Sequence, residues 1–175
     1  MRRVLLISSV LAVLAAFALI LIFSKGEQFY SDSCLPGNVT PVFSPDNSQI
    51  VLDMVGQAKR EVDVEMYEFS SKDFENELAS LSRSGVVVRV ILEPSVSQNL
   101  ETMSFLLNNG IEANWASKKF HNTHSKFVVI DDYIVIVGSM NWSENGLKEN
   151  REASAIIYSK EVSSRFKEIF DSDFG

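Results

Sequence analysis

The stretch "HSKFVVIDDYIVIVGSMN", His124 to Asn141, decides the reading of this chain. Two runs of β-branched residues, "KFVVI" and "YIVIVG", flank an Asp-Asp pair. Such runs around a short polar turn predict a β-hairpin. His124 and Lys126 lie two apart at the start of the first strand, so their side chains project to one face. Gly138, Ser139 and Asn141 end the returning strand, which brings them back towards His124 and Lys126. Asp131 lies beyond the first strand, in the turn.

Around the hairpin, helical and strand patterns alternate. "FSPDNSQIVLDMVGQAKR" reads as a helix, with Ser44 as N-cap and Pro45 at its first position. "EVDVEMYEF" alternates as a strand, Val62 to Phe69. "SSKDFENELASLSRSG" is a helix from near Ser71, with Phe74, Leu78 and Leu81 on one face and Gly85 as its stop. "VVVRVIL" reads as a strand buried on both faces. A helix ending at Gly110, a short strand "IEANWA", the hairpin, a strand "ASAIIYS" and an amphipathic helix "KEVSSRFKEIFDSDF" complete the chain. The expected fold class is α/β: a mixed β-sheet flanked by helices on both faces.

The chain has 175 residues, 46% of them hydrophobic, and its length beyond the N-terminal segment suits one domain. Val4 to Phe23 carries no charge and is long enough to span a bilayer. Bulky residues at its end disfavour signal cleavage, so residues 1–24 read as an uncleaved transmembrane signal anchor. Residues 25–40 read as a juxtamembrane linker and 41–175 as the folded domain. Arg2 and Arg3 precede the span, which predicts a cytoplasmic N-terminus and a domain on the far side of the membrane. The single cysteine, Cys34, reads as a free thiol.

From Ser24 onward, 14 basic side chains face 23 acidic ones, a charge of −9. That lacks the overall basic footprint of a nucleic-acid binder. Lys118, Lys119, Lys126, Lys148 and Arg151 still cluster in sequence around the hairpin, as a local basic patch or as solvated surface.

At the convergence of strands, Lys126 supplies positive charge, Ser139 and Asn141 supply hydrogen bonds, and Gly138 permits close backbone approach. His124 both titrates near neutrality and can attack phosphorus. No carboxylate cluster suggests a Mg²⁺ site and two histidines are too few for zinc, so the expectation is phosphoryl chemistry with no metal and no cofactor.

The spacing His124-x-Lys126-x4-Asp131-x6-Gly138-Ser139-x-Asn141 resembles the HKD motif of the phospholipase D superfamily. The chain is similar to the single-motif Nuc- and Zucchini-like endonuclease branch, over roughly Pro41 to Phe170, including the "FSPD" and "YEFSS" segments. The resemblance implies that His124 is the nucleophile, forming a phosphohistidine. It implies that Lys126, Ser139 and Asn141 bind phosphate, and that Glu152 fixes the histidine's tautomer. Asp131 would position groups and balance charge around the site. One imidazole cannot stand on both sides of phosphorus, and His121 reaches only from the same side. The expected partner is therefore a second copy, in a homodimer with the active site at the interface. Nucleic acid is the first substrate reading and a phospholipid head group the second; a non-enzymatic membrane-bound scaffold is a third. Trp142 lines a groove or packs in a loop, and Glu68 repels a phosphate or faces solvent.

Overall fold

A computed structural model describes residues 39–175. The anchor over Val4–Phe23, the linker up to Asn38 and Cys34 lie outside the described residues. Among the described residues no helix is long and apolar enough to cross a membrane.

Seven strands form one sheet: β1 Val39–Phe43, β2 Glu61–Met66, β3 Val87–Leu92, β4 Glu112–Trp115, β5 Lys126–Ile130, β6 Ile134–Gly138 and β7 Ala153–Tyr158. Among the described residues four α-helices accompany them: α1 Gln49–Val55, α2 Lys72–Arg83, α3 Asn99–Asn108 and α4 Lys160–Phe174. A π-helical turn, Asn145–Glu149, joins β6 to β7. The strand order is β1-β7-β6-β5-β2-β3-β4. Strands β2, β3 and β4 run parallel, and the remaining pairs are antiparallel. The sheet is mixed, as the sequence predicts.

Strand β5 sits at the centre, and all five of its residues are buried. Alternation divides them between two cores. Val128 and Ile130 pack with residues of α1, α2 and α3, such as Val55, Leu78 and Leu106. Phe127 and Val129 pack with Phe170 and Phe166 of α4. Both faces are covered, which is why the strand shows no polar alternation. At the far end of the hairpin, Asp131 and Asp132 both take φ of 55°. Aspartate tolerates this left-handed conformation better than the branched residues around it.

Two expectations need correction. Strand β1 was not foreseen; it pairs with β7 and brings Val39 and Thr40 into the sheet. Ser44 does not cap the first helix, which begins at Gln49 after Ser48. Ser44 is fully buried instead. Its hydroxyl donates to the Asn150 carbonyl at 2.7 Å and accepts from the Glu152 N–H at 3.0 Å. A tertiary partner has claimed the oxygen that a helix cap would have used.

Candidate active site

The site lies at one end of the central strands. His124 is exposed, one residue outside the coil-to-strand junction, and its ring sits 4.3 Å from that of Tyr67 at 58°. Lys126 opens β5 and is 8% exposed. Its ammonium donates to the His124 carbonyl at 2.8 Å and stands 4.8 Å from the Tyr67 ring centre. Burial lowers the Lys126 pKa, against the opposing pull of Glu152 and Glu68. Glu68, undecided in the sequence, is thus a counter-charge to Lys126.

Gly138 ends β6 against β7. A side chain there would fall 2.3 Å from the Ala153 carbonyl oxygen and from the Ser154 hydroxyl. Gly138 thus makes room for the neighbouring strand, besides bordering the cleft described below. The next residue, Ser139, bridges that junction. Its N–H donates to the Ala153 carbonyl at 2.9 Å and its oxygen accepts from the Ala153 N–H at 3.1 Å. The Ser139 hydroxyl donates to the Glu152 carboxylate.

Asn141 is held between two core anchors, Met140 and Trp142, 4% and 2% exposed. Trp142 stacks on Phe74 with centroids 4.0 Å apart and meets Phe69 edge-on at 5.1 Å. Its carbonyl accepts from the N–H groups of Ser70 and Ser71. Trp142 is a packing residue, not a groove lining. Gly146 in the π-helical turn presses against Asn141, and a Cβ there would fall 2.4 Å from the Asn141 carbonyl oxygen. The Asn141 Oδ1 atom is buried with no hydrogen-bond partner.

His124, Lys126, Gly138, Ser139, Asn141 and Glu152 line one open cleft of about 420 Å³. Glu152 reaches it by an unexpected route. Its two oxygens accept from Ser139 and from the Asn150 amide, the latter at 3.0 Å, and not from the His124 ring. Its backbone is fixed by Ser44. The groups brought together offer one nucleophilic nitrogen, one cation and two neutral hydrogen-bonding side chains, a set suited to a phosphate diester.

Asp131 stands apart. It lies five residues along from Lys126, roughly 16 Å at the strand's rise. Its carboxylate accepts from the N–H groups of Lys59, Arg60 and Glu61, at 2.9, 2.7 and 3.1 Å. Burial would raise its pKa, but these three bonds outweigh it and hold the carboxyl below the usual range. The charge balance expected of Asp131 at the site is corrected to a tie between the hairpin and the entry to β2.

The basic cluster in sequence does not converge either. Lys148 pairs with Glu144 at 3.2 Å and Arg151 with Asp46 at 2.5 Å. Lys118, Lys119 and the exposed His121 line a different cleft, with Glu93. Sequence reasoning missed two neighbours of the site. Tyr67 opens the "YEFSS" segment, and its place near the end of the expected strand was the available signal. Ser44 carried no signal beyond its cap-like setting.

Residues 51–174 match the family model described as "Cardiolipin synthase, PLD-like domain". A mitochondrial cardiolipin hydrolase of Chlamydomonas reinhardtii is 25% identical over 131 residues, 73% of this chain and 57% of that protein. The Homo sapiens protein of the same name is 28% identical over 115 residues, 65% of this chain and 45% of its own length. The chain thus spans about half the length of these curated relatives. Among solved structures, Nuc from Salmonella typhimurium, a phospholipase D family member, superposes with a TM-score of 0.73 at 22% identity. That match covers 78% of this chain and 93% of Nuc, and it carries the fold alone.

Proposed function

The chain belongs to the family of cardiolipin synthase PLD-like domains, and on that premise we propose a phosphodiester hydrolase that works without metal or cofactor. The carrying observation is the convergence of His124, Lys126, Ser139, Asn141 and Glu152 on one cleft. The His124 nitrogen attacks phosphorus as the bond from phosphorus to the leaving oxygen breaks, giving a phosphohistidine. The partner's His124, across a two-fold axis, gives its proton to that oxygen. It then takes a proton from water, which attacks phosphorus and breaks the P–N bond. Lys126, Ser139 and Asn141 hold the phosphate oxygens. Glu152 acts as a positioning residue through Ser139, and Asp131 acts through the fold. The cleft holds one imidazole and one carboxylate, fewer ligands than a divalent cation takes.

Residues 1–24 anchor the chain, with the N-terminus cytoplasmic and the catalytic domain, 41–175, beyond the membrane. A phospholipid head group is the better-supported substrate. The anchor would hold the site beside lipid, the domain is acidic, and Lys148 and Arg151 are matched by carboxylates. The relatives named for cardiolipin hydrolysis agree with a lipid diester. Endonuclease action on DNA or RNA, the first reading from sequence, remains the second here. Its support is the separate cleft of about 390 Å³, where Lys118 and Lys119 precede Phe120 and set cations next to an aromatic ring.

The test uses the full chain in detergent with EDTA present. Phospholipid micelles, single-stranded DNA and RNA are offered to the wild type and to His124→Ala. Lipid turnover that His124→Ala abolishes, with acid-labile label trapped on the wild-type protein, is expected. Turnover of nucleic acid alone overturns the lipid assignment. Undiminished turnover by His124→Ala overturns the mechanism.

A further inference from the structure

Glu65 stands on β2 opposite Phe127 of β5, on the sheet face covered by α4. Two residues earlier on the same face, Asp63 is matched by Arg89 at 2.7 Å and Lys167 at 3.1 Å. No cation matches Glu65 among the described residues. It is 2% exposed. One carboxylate oxygen accepts from the Ser125 hydroxyl. The other, Oε2, is buried with no partner. Orphaned buried acceptors of this kind are rare and call for a donor.

The space beside it is large enough to bring one. Glu65, Phe120, Phe127, Phe166, Ile169 and Asp173 line an open cavity of about 500 Å³. This cavity adjoins the phosphate cleft, since His124, Lys126 and Gly138 border both. The shared cation, Lys126, is turned to the His124 carbonyl. Burial, together with the charge of Asp173, raises the Glu65 pKa, as expected of a carboxyl set in apolar walls without a counter-ion.

We propose that this cavity is a head-group subsite for a primary ammonium: Glu65 Oε2 accepts an N–H from the amino-alcohol that leaves phosphorus, with Asp173 at the rim and the phenylalanines as walls. The inference rests on the phosphodiesterase reading above. Three requirements select the ligand. An orphaned acceptor needs an N–H or O–H, which a quaternary ammonium lacks. Two carboxylates favour a cation and oppose a second phosphate, so a polynucleotide strand is disfavoured here. Aromatic walls attract a cation through their faces. Aminoethanol esterified to phosphate meets all three.

The test is a ratio measured within each sample. The full-length protein in mixed micelles is given phosphatidylethanolamine or phosphatidylcholine of identical acyl chains, and kcat/KM is measured for both. The wild type is expected to prefer the ethanolamine lipid by about tenfold or more. Glu65→Gln is expected to bring the ratio close to one, and Asp173→Asn to lower it part way. A wild-type ratio near one, or a ratio that neither variant moves, overturns the subsite. Should Glu65→Gln fail to fold by its melting curve, Asp173→Asn at the rim decides. A wild type that hydrolyses bis(p-nitrophenyl) phosphate or an oligonucleotide but neither lipid also overturns the subsite, and leaves the phosphodiesterase reading intact. A wild type inert towards all of them overturns that reading itself.

Discussion

The Lys126 ammonium stands 4.8 Å from the centre of the Tyr67 ring, in a site where its side chain is almost wholly removed from water. Burying a cation opposes folding, and the downward shift of the Lys126 pKa records this. The folded state gives up this proton at lower pH than the unfolded chain does. The unfolded chain therefore holds more protons between the two pKa values, and stability rises with pH through that window. At neutral pH the penalty is fully present. Lys126→Met is expected to raise Tm by about 2–4 °C, as about 1 kcal/mol does for a domain of this size. Phosphodiesterase activity should fall by about 10²-fold or more. Melting curves at neutral and alkaline pH check the sign: the advantage of the variant must shrink as pH rises.

Asp131 makes the opposite trade. Its three backbone hydrogen bonds tie the hairpin turn to residues 59–61. Asp131→Ala leaves those donors without their acceptor and sets alanine at a φ of 55°, with an expected loss of about 2–4 kcal/mol. The folded-state pKa is depressed, so this stabilisation is present above the unfolded carboxyl's pKa and is lost as pH falls through the folded value. Denaturant titrations at neutral and acid pH should show the wild type and Asp131→Ala converging in acid. Turnover at a temperature where the variant is folded should stay within a few-fold of wild type. A large loss of kcat in the folded variant would place Asp131 back at the site.

Tyr67 packs its ring on His124 at 4.3 Å, and Tyr67 donates its backbone N–H to the Ser125 carbonyl at 3.0 Å. The imidazole is thereby restrained from its neighbour's side chain and from its own chain. With His124 as the proposed nucleophile, Tyr67→Leu is expected to lower kcat by about tenfold with KM little changed, since misalignment costs rate more than binding. Tyr67→Phe keeps the ring and should restore most of the loss. Equal defects in the two variants would assign the effect to the phenol oxygen.

Why the hairpin was legible and Glu65 was not has one physical origin. "KFVVI" and "YIVIVG" are apolar throughout because both faces of the central strands are covered, and such runs read as buried whatever covers them. "EVDVEM" alternates, and the pattern reads as one buried and one solvated face. In the fold both faces are buried, since α4 closes over Asp63 and Glu65. Arg89 and Lys167 make that tolerable for Asp63, and they come from β3 and α4, far away in sequence. Tertiary partners likewise took Ser44 from its cap and Glu152 from the imidazole. The local periodicity of α2 and α4 carried their positions closely, while the destinations of single polar side chains depended on elements that only the fold brings near.

The proposed shared site makes a prediction that depends on number rather than on residue type. The site cleft of each copy has a single imidazole, His124, and in-line displacement asks for groups on both sides of phosphorus. If two copies build one site, wild type and His124→Ala subunits that assemble at random in equal amounts leave about a quarter of dimers with both imidazoles. Activity per total protein should then fall to about a quarter of the all-wild-type value. Independent sites would give about a half, because each wild-type chain works regardless of its neighbour. Co-expression of two differently tagged chains, with subunit fractions read by mass spectrometry, separates the two laws across a series of mixing ratios. The shared site requires activity to follow the square of the wild-type fraction, and a straight line through the origin would refute it even if the protein were dimeric.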